Sequence, residues 1–312
     1  MKDKSLDLYN DVKKYLAFLQ FERKLSSNTI SSYWLDLKSF FDYIANSYNI
    51  TKLSEIKSAH INTYIKSLDK YIDKKSYTVV KKSSSINRSI SSIKSFYKYL
   101  INNEIIKENP AKSILSVKQS KKIPDILSVE EINKILDSFD LTKKNNVRDK
   151  AVISLLYSSG LRVSELTSLQ LTNLFLEEDI IRIFGKGNKE RIVPIGSIAK
   201  NDLLNYIENI RPYYTRKTNS KGILFLSNRG KELSRKTVWN IIKISSIRAE
   251  INKKVSPHTF RHSFASHLLE GGAGLRIVQE LLGHSNISTT QIYTQLDQTY
   301  LKEIHRQFHP RG

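Results

Sequence analysis

The segment from Ser256 to Thr294 constrains this chain more than any other, because it concentrates reactive side chains on elements with marked ends. It contains Ser256-Pro257-His258-Thr259-Phe260-Arg261-His262, then Leu281-Leu282-Gly283-His284-Ser285, then Gln291-Ile292-Tyr293-Thr294. Ser256 and Pro257 predict an N-cap and a first helical position, since a serine hydroxyl satisfies a free N–H and proline has none to lose. His258 and Arg261 then fall one turn apart on one face. Gly283 predicts a helix stop, with His284 just past the end, where a side chain can point into a cleft. Ser288-Thr289-Thr290-Gln291 predicts the cap and first turn of a further helix, with Tyr293 following. These residue types suit phosphate chemistry. Arginine grips phosphate with a planar fork, histidine moves protons near neutral pH, and a tyrosine hydroxyl is a nucleophile once a neighbour takes its proton.

The 312 residues allow one large domain or two of ordinary size, and 39% hydrophobic content is enough for packed cores. No apolar run approaches a membrane span, and MKDKSLDLYND has none of the apolar character of a secretory signal. The absence of cysteine excludes a disulfide framework and fits a reducing cytoplasm. Charge decides more. The net charge is +21, and residues 1–123 hold 23 Lys and Arg against 11 Asp and Glu, while 124–312 hold 28 against 19. Both halves are basic, so both are expected to face one polyanion. Residues 52–122 carry 16 cations against 5 acids, which marks them for phosphate contact. A lysine-rich genome bias is the competing explanation for part of this excess.

Apolar spacing predicts helices over 8–19, from the LSSN cap through Ile44, over 58–68 and over 85–102. Tyr33, Trp34, Phe40 and Phe41 lie on one such stripe, which reads as core packing and not as a base-stacking platform. Ile86, Ile90, Ile93, Tyr97 and Leu100 are expected inward, with Lys82, Arg88, Lys94 and Lys98 outward. Residues 116–124, closed by Pro124, read as a linker between domains at 1–115 and 125–312. Ser128 and Glu131 predict a capping box, and Gly160 a stop for the helix 146–159. Arg162 then opens another helix, where a surface ion pair with Glu165 is the ordinary expectation. IIRIF and ERIVPI around Gly185-Lys186-Gly187-Asn188-Lys189 predict a β-hairpin. Further helices are expected at 198–210 and 235–249, with a short strand near 223–226.

The segments HTFRHSFASHLLEGGA and VQELLGHSNISTTQIYT resemble the signature of tyrosine site-specific recombinases, more narrowly the bacterial Xer recombinases. SSGLRVSELTSLQ, GKGNKERIVPIG, the N-terminal YLAFLQFERKLSSNTISSYWLDLKSFFDYI and the final LKEIHRQFHPRG are similar to further segments of the same family, in the same order. The resemblance implies a mainly α fold with a small antiparallel β-sheet. An N-terminal helical, SAM-like core-binding bundle and a C-terminal catalytic domain would together form a C-shaped clamp on DNA. It also implies the catalytic set Arg162, Lys186, His258, Arg261, His284 and Tyr293. In that scheme Arg162, Arg261 and His284 bind the nonbridging oxygens, His258 is the base, Lys186 the acid, and Tyr293 the nucleophile that forms a 3′-phosphotyrosine.

No cofactor or metal is implied, because the arginines take the part of a divalent ion. The implied partners are a double-stranded recombination site and further protomers, its own or a paralogue's, in a cyclic tetramer. An FtsK-type translocase belongs to the same scheme, with roles in chromosome partition and cell division. The tail Gln298–Gly312, with Tyr300, Leu301, Ile304 and Phe308 at helical spacing, would dock on the adjacent protomer and leave a folded chain if removed. Gly274 and Gln295 depart from residues common in the family, a carboxylate and a histidine. Rival readings are a mobile-element integrase or excisionase, a type IB topoisomerase and an inactive DNA-binding protein. A zinc pair at His258 and His262 lacks a third ligand and would meet the repulsion of Arg261. His262 and His267 are expected to be structural, hydrogen-bonded within the helix packing, and Phe260 and Phe264 to be core.

Overall fold

The hairpin expected around Lys186 is the centre of a three-stranded antiparallel sheet, β1 (Leu174–Phe175), β2 (Ile180–Phe184) and β3 (Glu190–Pro194), in the order β1-β2-β3. β2 and β3 pair from Ile180↔Pro194 to Phe184↔Glu190. The computed structural model describes all residues except 1–5, 69–82, 119–124, 186–189, 217–219, 221 and 284–294. Lys186, His284 and Tyr293 therefore lie outside the described residues, as does most of the linker expected at 116–124. The chain divides into two units, Met1–Lys122 and Ile123–Gly312.

The first unit is built from α1 (Leu6–Phe21), α2 (Ser27–Tyr48), α3 (Ser58–Leu68) and α4 (Ser83–Asn102). Ser26 caps α2 by accepting from the Thr29 N–H, as the LSSN signal predicts. The aromatic stripe is core: Phe40 and Phe41 are buried with Tyr15, Tyr64 and Phe96 in edge-on and tilted contacts. The expected inward residues of α4 are all buried. Its outward face departs from expectation in one respect. Arg88 is committed to the buried carboxylate of Asp36 through Nε (2.9 Å) and Nη2 (3.1 Å), while Ser92 donates to the same carboxylate. An acid on the inner side of α2 needs a partner, so this arginine serves α2 before it serves any ligand.

In the second unit, α5 (Val129–Asp137) opens with the predicted Ser128–Glu131 capping box. It is followed by α6 (Lys144–Ser158), α7 (Val163–Ser168) and the sheet. α8 (Ser197–Asn205) passes through a π-helical stretch, Tyr206–Ile210, into α9 (Arg211–Thr215), so the helix expected to end at 210 runs on past Pro212. The strand expected at 223–226 is instead two isolated bridges, Gln170↔Ile223 and Leu226↔Glu232. α10 (Arg235–Arg248), α11 (Pro257–Gly271), α12 (Leu275–Leu282) and α13 (Gln295–Phe308) complete the unit. Ser256 caps α11 with Pro257 in its first turn, and Gly283 ends α12 at φ +65°, both as the sequence predicts.

α13 packs its apolar face on its own unit. Leu301, His305 and His309 are buried, and His305 Nε2 hydrogen-bonds the Ser158 carbonyl at 2.7 Å. A β-carbon on Gly271 would lie 2.5 Å from the Phe308 carbonyl oxygen, and one on Gly196 only 1.9 Å from that of Arg311. Tyr300, expected on the apolar face, is exposed.

Candidate active site

Gly160 sets the geometry of the site. At φ +55° it turns the chain from α6 into α7, a conformation that costs glycine little. A β-carbon there would strike the Phe264 ring at 2.5 Å, so the turn presses directly on α11. Its carbonyl accepts from Arg261 Nη1 at 2.7 Å, which ties the turn to the middle of α11. Arg162, two residues on, is the N-cap of α7 in extended conformation.

The expected ion pair of Arg162 with Glu165 is present, but it belongs to a larger network. Glu165 accepts from the Arg162 backbone N–H (2.8 Å) and from Nη1 (2.9 Å). It also receives both terminal nitrogens of Arg191, at 2.8 Å each. Burial alone would raise the Glu165 carboxyl, but hydrogen bonds and charge from Arg191, then Arg162, outweigh it and hold the group at about 2.

Three arginines from three elements converge on the C-terminal end of α12. Arg191 Nε donates to the Leu281 carbonyl (3.0 Å), Arg261 Nη2 to that of Leu282, and Arg162 Nη2 to that of Gly283 (3.2 Å). The last carbonyls of a helix lack intrahelical partners and carry partial negative charge, which suits cations. The end of α12, just before His284 in the sequence, is thus fixed by three guanidinium groups. Arg261 is buried, and desolvation followed by the charges of Arg162 and Arg191 lowers its pKa below the ordinary arginine value. It remains a cation at neutral pH.

His258 is exposed on the first turn of α11. Desolvation, then the positive fields of His262, Arg261 and Arg162, lower its pKa below 6.5, so it is neutral at pH 7 and able to accept a proton. His262 is exposed, which corrects the expectation that it is a structural hydrogen-bonding residue. His267 is buried, with Nδ1 2.8 Å from the Tyr157 hydroxyl. The structure thus brings Arg162, His258 and Arg261 together. The strands bearing the Lys186 hairpin join them through Arg191, which reading the sequence passed over. Its signal was available: in ERIVPI, Arg191 alternates with Val193 and Ile195 on one face of the strand, and a charge among core residues demands a buried partner.

The profile of the phage integrase family matches residues 125–299, and that of the phage integrase N-terminal SAM-like domain matches residues 12–104. The chain belongs to the phage integrase family. Its relatives include tyrosine recombinase XerD of Staphylococcus epidermidis, 42% identical over 301 residues that cover 96% of this chain and 99% of that protein. XerD of Staphylococcus aureus is 44% identical over the same coverage. Among solved structures, XerH site-specific recombinase bound to its difH substrate in a pre-cleavage complex aligns at TM-score 0.66 and 25% identity, covering 94% of this chain and 82% of that one. A lambda integrase dimer bound to a core site aligns at TM-score 0.65 and 17% identity, over 92% and 97%, and shares the fold. This phage integrase family member is a tyrosine recombinase, mainly helical with a small antiparallel sheet, and acts in site-specific recombination.

Proposed function

We propose that this recombinase cuts one strand of a short duplex site by attack of the Tyr293 hydroxyl on a phosphodiester. The O–P bond formed at Tyr293 replaces the bond to the 5′-oxygen, which leaves with a proton supplied by Lys186. The phosphotyrosine stores the bond energy, and attack by a partner strand's 5′-hydroxyl reverses the step and builds a Holliday junction. Arg162, Arg261 and His284 neutralise the nonbridging oxygens, where charge concentrates in the transition state. His258, neutral at pH 7, receives the tyrosine proton.

The observation that carries this reading is the convergence of Arg162 and Arg261 on the α12 terminus, with a neutral His258 beside them. Two arginines bonded to adjacent carbonyls of one helix end, one of them buried, make an anion site, and Tyr293 stands ten residues beyond Gly283 in the sequence. In this reading both units, each basic in sequence, contact the DNA. Four protomers assemble on two sites, with a paralogue or with copies of this chain, in the cytoplasm. The biological task is resolution of chromosome or plasmid dimers under a DNA translocase, supported by the likeness to XerD. The test is cleavage of a nicked site duplex in excess EDTA and without ATP. An adduct on denaturing electrophoresis is expected. Loss of cleavage on chelation, restored by a divalent ion, contradicts the proposal.

A further inference from the structure

The structure assigns Arg191 a positioning role in cleavage: it neutralises Glu165 so that Arg162 stays available to the phosphate, and it pins the helix end that leads to His284. This inference rests on the catalytic set proposed above. Arg191 touches no reacting atom, being only 5% exposed on the core side of β3. Each of its terminal nitrogens takes one oxygen of Glu165, and Nε takes the Leu281 carbonyl, so its fork is engaged on both partners. Gly283 presses on it as well: a β-carbon there would lie 3.0 Å from Arg191 Cδ.

Glu165 is the shared element. Oε1 accepts from both Arg191 Nη1 and Arg162 Nη1, and Oε2 from both Arg191 Nη2 and the Arg162 N–H. With Arg191 present, one buried carboxylate faces two guanidinium groups, and the buried one satisfies it. Arg162 then gives Glu165 a single side-chain nitrogen, rests Nη2 on the Gly283 carbonyl, and keeps a part-exposed guanidinium face for a ligand. Without Arg191, the carboxylate is a buried charge short of a partner, and Arg162 is the cation already bonded to it. Arg162 would be drawn fully onto Glu165, away from the phosphate. The Leu281 carbonyl would also lose its donor, and the α12 terminus one of its three ties.

A merely structural arginine would behave differently from a neutralising one, and the test uses that difference. Single-turnover adduct formation on a nicked site duplex is measured for the full chain beside half-site affinity. Arg191→Met keeps the buried stem and removes the fork. We expect it to slow adduct formation about 100-fold, the scale of a small misplacement of catalytic groups, with affinity within about threefold. Adding Glu165→Gln removes the competing charge and should restore at least about tenfold of the rate. Arg191→Lys, which keeps a cation beside Glu165, should fall between wild type and Arg191→Met. Cleavage by Arg191→Met within about threefold of wild type would overturn the assignment, as would a double variant no faster than the single one. If circular dichroism shows Arg191→Met unfolded, the same comparison is made between Arg191→Lys and Arg191→Lys/Glu165→Gln. Tyr293→Phe is run alongside. An adduct in that variant removes the catalytic set itself, whereas its absence together with an active Arg191→Met removes only the role of Arg191.

Discussion

Acid should loosen the C-terminal helix, and His305 supplies a calculable share of the effect. His305 lies against Phe264 of α11 and is stacked on His309 at 4.7 Å, with Tyr157, His267, Glu270 and Arg311 around that ring pair. Burial, offset in part by the bond to the Ser158 carbonyl, lowers His305 from 6.5 to about 4. The sign follows from which state binds the proton first. Above pH 6.5 both folded and unfolded histidine are neutral, and the full stability is present. Below it the unfolded chain protonates while the folded one does not, so stability is lost from about pH 6.5 down to about 4. At about 1.4 kcal/mol per pKa unit, the loss approaches about 3 kcal/mol, of which about 2 kcal/mol is reached by pH 5. For a unit of this size that is roughly 4–8 °C in Tm. His305→Gln removes the titration while its amide can still donate to Ser158. Thermal unfolding of both proteins at pH 7.5 and pH 5 isolates the term, and wild type should lose the larger amount. Equal losses in the two proteins would refute the reasoning.

Two further outcomes follow from the site. Lys186→Ala should slow cleavage of an ordinary site far more than that of a 5′-phosphorothiolate site, whose sulfur leaves without a proton. Rescue no greater than that of Arg261→Ala would remove Lys186 as the acid. Gly283→Ala forces a side chain into the left-handed region and against Arg191, so it should cost about 1–2 kcal/mol of stability and slow adduct formation about tenfold or more. Wild-type cleavage in that variant would mean the α12 terminus need not be fixed.

Local signals carried the sequence reading where local physics decides. The caps at Ser26, Ser128 and Ser256 and the stop at Gly283 each depend on a hydroxyl or on left-handed backbone within a few residues, and each is found in place. The stripe through Phe40 and Phe41 depends only on helical period. What escaped was decided across the fold. Arg88 turns to Asp36, 52 residues away, and Arg191 to Glu165, 26 away. No spacing rule links such pairs. The tail had an apolar face visible in the sequence, but whether α11 or a neighbour covers it depends on which surface is at hand. His262 shows the converse. Its place on the helix was legible, its exposure was not, because that depends on what packs beside α11. The π-helical run at Tyr206–Ile210 lies where Tyr206 is buried against Phe225, a contact again set by tertiary packing.

The central claim is that the arginine-lined site serves a tyrosine nucleophile at position 293. The most direct measurement is covalent adduct formation by Tyr293→Phe on a nicked site duplex, with half-site affinity measured in parallel. No adduct should form, and affinity should stay within about threefold, since one hydroxyl adds little to an interface dominated by phosphate contacts. An undiminished adduct would place the nucleophile elsewhere, with the exposed Tyr300 the next to replace, and would contradict the account.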